Sequence, residues 1–380
     1  MNEHSWIEIS RSALLNNYRL FRERTDGAKL LPVLKANAYG HGLAEVSGIL
    51  VEEGQQWFGV HSSAEALSLA ELHPDMDLKI LVLSWTPPEL LGSLLEAGTR
   101  FAVIDMEGLD ELEAGGRRIG ASVPVHLKVE TGVHRQGFPE NRLDALAERL
   151  AECDHIRVEG VYSHFANIED STDHRYALEQ MRRFEAAVRR LRGGGVRPTM
   201  LHQSCSAAAI LFPETCGDLL RLGISLFGHW PSRETLVSAR AGGRNDLDLR
   251  PVMTWKGRII QLKDVPAGSY VGYGCSWKTE AETRLGVLPL GYYDGYDRGL
   301  GSAWALVRGR RAPVRGRVMM NLTLIDLSHI PDARRGDEAV LLGRQEDEEI
   351  SAETLAGLAG TINYEILARA GSHLHRRVVD

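Results

Sequence analysis

Residues 30–42 read LLPVLKANAYGHG, an apolar run that ends on Lys35 and gives way to a turn rich in Gly and Asn carrying Tyr39 and His41. Such a run, closed by Asn and Gly, is a buried strand entering a loop. A lysine at that junction is half sheltered from water. Burial and cationic neighbours pull a lysine pKa down, and the neutral amine then adds to a carbonyl as a Schiff base. The plainer reading is a lysine snorkelling off a strand end, so the rest of the chain has to decide.

Outward from this stretch the chain alternates. Apolar runs that read as strands lie at Leu30–Lys35, Trp57–His61, Lys79–Leu83, Arg100–Ile104, Val123–Val129, Val158–Ser163, Thr199–Gln203 and Leu219–Ile224. Helical patterns separate them, among them Ser62–Leu72, Pro88–Ala97, Asn141–Glu152 and the charged Asp173–Arg192. Strands alternating with helices build a parallel sheet, and eight such units predict an α/β fold closed into a (β/α)8 TIM-type barrel. An open doubly wound sheet is the alternative, and the lack of GxGxxG after the first strand counts against it. Trp6–Ser10 reads as a strand and Arg11–Arg24 as an amphipathic helix.

Past Phe227 the style changes. Pro231–Arg250, with AGGRNDLD inside it, reads as a linker or excursion. Short β-runs follow at Val252–Leu262, Arg284–Leu290, Ala312–Val318, Leu322–Leu327 and Glu338–Leu342, and helices at Ser351–Leu358 and Asn363–Ala370 close the chain. The expected division is a barrel over 1–240 and a mainly β C-terminal domain over 241–380, with the strand at about residues 5–10 packing on the latter.

Composition narrows the partners. A net charge of −7 argues against nucleic acid or an anionic membrane. The four cysteines show no CxxC spacing and no zinc pattern with histidine, so they read as free thiols of a cytoplasmic protein. No window approaches a membrane span and no signal architecture opens the chain.

In a parallel barrel the working residues sit at the C-terminal ends of strands. Here those positions hold Lys35, His61, Lys128, Arg135, His164, His202–Ser206, Arg221 and Gly223. The set is basic and calls for an anionic guest. HQSCSA (202–207) offers hydroxyls and amides at a helix start, and RLGIS (221–225) brings a close-approach glycine, which together suit a phosphate. A nucleophilic lysine opposite a phosphate cup is the arrangement for pyridoxal 5'-phosphate. Taken singly, His164 reads as a core histidine and Arg221 as the partner of Asp218 or another nearby carboxylate.

These residues are set in motifs: PVLKANAYGHG (32–42), KVETGVHRQGF (128–138), VYSHFA (161–166), RLGISLFG (221–228), VGYGCSW (271–277), LPLGYYDGYDR (288–298), GRVMMN (316–321) and TINYEILARAG (361–371). In that order they resemble the alanine racemases of bacteria, pyridoxal-phosphate enzymes of fold type III. The resemblance implies a homodimer with shared active sites acting on a small amino acid, and D-alanine for peptidoglycan as the product.

Carried over by position, Lys35 is the cofactor lysine and the base for the D-substrate. Tyr273, reaching the site of the second subunit, is the base for the L-substrate. Arg221 faces the pyridine nitrogen with His164 behind it, and Arg135 meets the phenolic oxygen with support from Lys128, carbamylated in some relatives. Tyr39, Ser206, Gly223, Ile224 and Tyr364 hold the phosphate. Arg135 and the Met320 amide meet the substrate, while Arg298 and Arg317 line the entrance.

Four positions depart from the family pattern. Cys205 stands where Asn is usual, Met319-Met320-Asn321 where Cys-Met-Asp is usual, and Trp230 where a small or polar residue is common. The alternative is therefore a serine or broad-specificity racemase. A fold type III decarboxylase ranks lower, because it would want an acid where Arg221 stands, and a non-catalytic cofactor-binding protein ranks with it.

Overall fold

The computed structural model describes residues 4–25 and 27–380. The chain divides into two compact units, and the division is interleaved. One unit comprises Leu14–Lys35 and Ser47–Arg250; the other comprises the start of the chain to Ala13, Ala36–Val46 and Pro251–Asp380.

In chain order the first strand is β1 (Ser5–Ser10). The strands of the α/β unit follow: β2 (Lys29–Pro32), β3 (Trp57–Val60), β4 (Lys79–Val82), β5 (Thr99–Val103), β6 (Val123–Lys128), β7 (Ile156–Tyr162), β8 (Met200–His202) and β9 (Leu219–Leu222). β3 to β8 form one parallel sheet in sequence order, and β2 pairs in parallel with β9. The two pieces join on both sides. Val33 bridges Gly59 and the Leu34 amide donates to the Gly59 carbonyl at 2.8 Å, while the Asp218 amide donates to the Leu201 carbonyl at 2.9 Å. Among the described residues eight parallel strands thus close into a barrel.

The strands are short apolar runs because both faces are covered: β3 and β9 are buried at all four positions and β6 at all six. Helices between them start where polar caps permit. Ser62 and Glu65 form a capping box before Ser63–Leu72, and the Asp105 carboxylate accepts from the Gly108 amide before Met106–Ile119. The polar segment 231–250 is not wholly a linker, because Ser232 caps a helix at Arg233–Ala241. The alanines and Leu236 of that helix were hidden in the sequence by the glycines that follow.

The remaining strands are β10 (Met253–Arg258), β11 (Gln261–Val265), β12 (Tyr270–Val271), β13 (Trp277–Lys278), β14 (Thr283–Leu288), β15 (Trp304–Val307), β16 (Arg310–Pro313), β17 (Thr323–Asp326), β18 (Glu338–Gln345), β19 (Glu348–Ile350) and β20 (His375–Val379). One sheet runs β16-β15-β18-β10-β1-β20 with β19 on β18, a second runs β11-β14-β17, and β12-β13 is a separate hairpin. β1 is antiparallel to β10 and parallel to β20. Fully buried Ile7, Ile9, Trp255 and Tyr296 lie in the core of this unit, with the Trp255 and Tyr296 rings edge to face at 6.0 Å.

The loop expected after Lys35 is instead a left-handed turn. Ala36, Asn37, Ala38 and Tyr39 all have φ of 53–54°, a region that costs a non-glycine residue on the order of 1 kcal/mol each. Hydrogen bonds hold it there. Gly42 donates to the Asn37 carbonyl at 2.9 Å, and the Leu43 amide donates to Asn37 Oδ1 at 2.8 Å.

Candidate active site

Within the barrel unit, Lys35 follows β2, Lys128 ends β6, Arg135 sits on the loop after it, His164 follows β7, and Arg221 lies in β9. Lys35 is half-buried. Its burial and then the Arg135 charge pull the amine below the ordinary lysine value, against Glu65 and Glu169, which pull it up. Burial and the charges of Arg135 and Arg221 bring Lys128 down to about 8. His164 is held neutral, far below the usual histidine range, by burial and by Arg221, Arg135, Lys128 and Lys35. Lys35, Lys128, Arg135, His164 and Arg221 thus form one electrostatic cluster, whereas His61, also read from a strand end, is exposed and is not part of it.

Arg221 does not pair with Asp218, whose carboxylate accepts from the Leu201 amide at 2.7 Å. Its Nη1 donates to His202 Nδ1 at 2.8 Å and to the His202 carbonyl at 3.0 Å. Its Nη2 donates to the carbonyls of Ser163 at 2.6 Å and Gln203 at 2.9 Å, with His164 Nδ1 at 3.4 Å. Among the described residues Nε has no partner and no carboxylate pairs with the group. A buried guanidinium is thereby fixed by its two ends and offers one free N–H.

Ser206 opens the helix Ser206–Leu211, and its Oγ accepts from the amides of Gly223 at 3.1 Å and Ser225 at 3.4 Å. The segment after β9 therefore aims two backbone donors at a hydroxyl on the helix start after β8, and a phosphate oxygen would find the same donors. Buried Ile224 continues the turn. The residues fit a phosphate-bearing cofactor with a ring nitrogen for Arg221.

Glu130 is a part of this site that strand-end reasoning missed. Its carboxylate accepts from the amides of Gly132, Val133 at 2.7 Å and Arg135 at 3.3 Å, bonds that outweigh the upward push of burial and lower its pKa. The Glu-x-Gly-x-x-Arg spacing is the sequence signal for such an anion nest. With it, Lys128 Nζ donates to Gln136 Oε1 at 3.3 Å, and Lys128, Glu130, Arg135, Gln136, Ser163 and His164 line one cleft.

The profile described as "Alanine racemase, N-terminal domain" matches residues 9–231, and "Alanine racemase, C-terminal domain" matches 252–378. The chain belongs to the alanine racemase family. It is 40% identical to the alanine racemase of Syntrophobacter fumaroxidans over 97% of this chain and 96% of that one. It is 35% identical to that of Leptospira interrogans over 99% of this chain and 96% of that one. Among solved structures it resembles the alanine racemase of Streptomyces coelicolor A3(2), with TM-score 0.89 and 36% identity over 99% and 98% of the two chains. It also resembles that of Bacillus anthracis with bound L-Ala-P, with TM-score 0.91 and 29% identity over 100% and 96%.

The other residues implied by the alanine racemase resemblance lie in the β unit. Tyr39, last residue of the left-handed turn, has its ring 6.2 Å from that of Tyr364. Tyr273 is on the loop of the β12-β13 hairpin and is 71% exposed. Met320 is 55% exposed; its carbonyl accepts from the Tyr293 amide at 3.0 Å, and its own amide has no partner among the described residues. The Arg317 guanidinium packs against Gly274, next to Tyr273, and Arg298 is exposed. Of the departures from the alanine racemase pattern, Cys205 is buried, with its thiol pushed up to about 12 by burial first and then by Glu169, and Asn321 is exposed.

Proposed function

We propose that the protein is a pyridoxal-phosphate-dependent alanine racemase that interconverts L- and D-alanine with two bases, Lys35 and Tyr273 of the partner subunit. The observation that carries this reading is Arg221, a permanently charged guanidinium bonded through both Nη atoms with Nε left over. A decarboxylase would want a carboxylate there.

Pyridoxal phosphate, when bound, withdraws electrons from the α-carbon of an amino acid attached to it. Lys35 would hold it covalently. Ser206, Gly223, Ile224, Tyr39 and Tyr364 would hold its phosphate, and Arg135, supported by Lys128, its phenolic oxygen. Arg221 would face its ring nitrogen, with His164 behind. A guanidinium does not give up its proton near neutral pH, so Arg221 limits electron withdrawal and favours proton exchange over side reactions.

Racemisation takes a proton from one face of a carbon and returns one to the other. No single side chain serves both faces, so two bases are required. Lys35, whose amine is pulled down by burial and Arg135, takes the proton from D-alanine. Tyr273 takes it from L-alanine. The unpartnered Met320 amide and Arg135 would bind the substrate carboxylate, with Arg298 and Arg317 at the entrance.

A homodimer accounts for the exposure of Tyr273, Tyr270, Tyr293 and Met320, large side chains on the surface of one unit. No described helix is long and apolar enough to cross a membrane, and the four cysteines are free. The proposed reaction makes this a cytoplasmic enzyme that supplies D-alanine for peptidoglycan.

The test is conversion of L- to D-alanine by purified protein with pyridoxal phosphate, beside serine, arginine and lysine. Lys35→Ala should abolish both turnover and the visible band of bound cofactor, and Tyr273→Phe should slow the L-to-D direction steeply. Turnover with serine equal to that with alanine would shift the reading to a broad racemase. Release of carbon dioxide, or full activity in Lys35→Ala, would overturn it.

A further inference from the structure

Three buried side chains close to Arg221 have no part in the chemistry above: His202, His126 and Glu159. A guanidinium has no lone pair to offer, so at 2.8 Å Arg221 Nη1 donates and His202 Nδ1 accepts. His202 therefore carries its proton on Nε2, which lies 2.8 Å from His126 Nδ1. That nitrogen accepts in turn. The His126 proton is left on Nε2, which faces Glu159 Oε2 at 3.9 Å.

One fixed positive charge thus faces one negative charge through two neutral imidazoles polarised in the same direction, the last step being an electrostatic contact at 3.9 Å and not a hydrogen bond. β6, β7, β8 and β9 each contribute one member. Glu159 keeps its charge: its pKa is lowered to about 2, because His126, Arg100 at 3.2 Å and Arg157 at 2.6 Å outweigh the upward push of burial. The other groups packed on the two imidazoles are Tyr162, whose ring stacks on His202 at 4.9 Å, and Trp57, edge-on to His126 at 6.4 Å.

The backbone is shaped to admit this chain. Along β6 and β7, Val125 pairs with Val158 but His126 pairs with Gly160, so Glu159 is an extra residue in a bulge. A Cβ on Gly160 would lie 2.3 Å from His126 Nδ1, so only glycine leaves room for the imidazole. Bulges re-aim side chains, and this one sets Glu159 beside His126.

We propose that His202, His126 and Glu159 are positioning residues that orient Arg221 and give its guanidinium a distant counter-charge. The role rests on the reading of Arg221 given above. A carboxylate bonded directly to Arg221 would cancel the field it presents to the cofactor and occupy its donors. A carboxylate two imidazoles away stabilises the buried charge and leaves Nε free.

The test is nitrogen NMR of protein labelled with 15N-histidine, with and without pyridoxal phosphate, so that the result does not depend on turnover. Both rings should be neutral with the proton on Nε2, and neither should titrate between about pH 5.5 and 8.5. Glu159→Gln, which keeps the side-chain volume, should move the ring signals of both histidines. It should also lower kcat about tenfold, with KM for alanine changed less than about twofold. A proton on His202 Nδ1, a cationic ring at pH 7, or ring signals unmoved in folded Glu159→Gln would overturn the proposal. Where that variant does not fold, the tautomers of the native protein decide. Lack of racemisation with the expected tautomers would count against the reaction assigned, not against the relay.

Discussion

Arg376 in β20 grips the carbonyl of Gly40 with two donors, Nε at 2.9 Å and Nη2 at 2.7 Å, across 336 positions of sequence. The same guanidinium donates to the carbonyls of Leu374 at 2.9 Å, Gly371 at 3.2 Å and Ala370 at 3.2 Å, and it is buried. It ties the end of the left-handed turn, beside Tyr39, to the C-terminal segment.

Removing that group strands several buried acceptors at once. Arg376→Met should destabilise the protein by about 3 kcal/mol, since hydrogen bonds from charged donors carry about 1.5–3 kcal/mol each. Urea unfolding followed by tryptophan fluorescence measures it. An unchanged midpoint would mean that water replaces the guanidinium at no cost.

Gly160→Ala should cost about 1–3 kcal/mol, because the new methyl overlaps the His126 ring and one of them must move. The same unfolding measurement applies. The His126 ring signals should shift in this variant even where the protein stays folded.

Lys128 makes a pH-dependent contribution whose sign follows from its shift. Its pKa is about 8 in the folded protein against an ordinary value of 10.5, so between those values the unfolded chain holds more protons. Stability from this group therefore rises with pH through that window and is lowest below about 8, where both states are charged. Lys128→Met removes the buried charge. The variant-minus-native difference in urea midpoint should accordingly be more favourable at pH 7 than at pH 10; the reverse order would show that the amine is not desolvated.

Glu130 holds the loop that carries Arg135. Glu130→Ala should lower kcat/KM for alanine by about tenfold or more, since small misplacements of a substrate-positioning group cost up to about a hundredfold. Steady-state kinetics in both directions check this. A loss confined to thermal stability would limit Glu130 to folding.

The barrel was legible because its signals are local. Each apolar run, such as Trp57–Val60 or Leu219–Leu222, is bounded by polar caps or glycine, and the alternation with helices leaves few topologies. The basic residues at the strand ends were legible for the same reason. β12, β13 and β19 were not read, being two or three residues long and below any periodicity. β20 was missed because HRRVV gains its strand character from pairing with β1.

What the amino-acid sequence settled by itself is the alternation of elements and the chemical character of the strand ends, because both depend on residues adjacent in the chain. Tertiary structure decided that Arg221 bonds to His202 and not to Asp218, that a bulge sets Glu159 beside His126, and that Arg376 closes on Gly40. Those outcomes turn on strand register and on burial, where each unpaired polar group must find a partner from whichever distant segment the fold brings within reach.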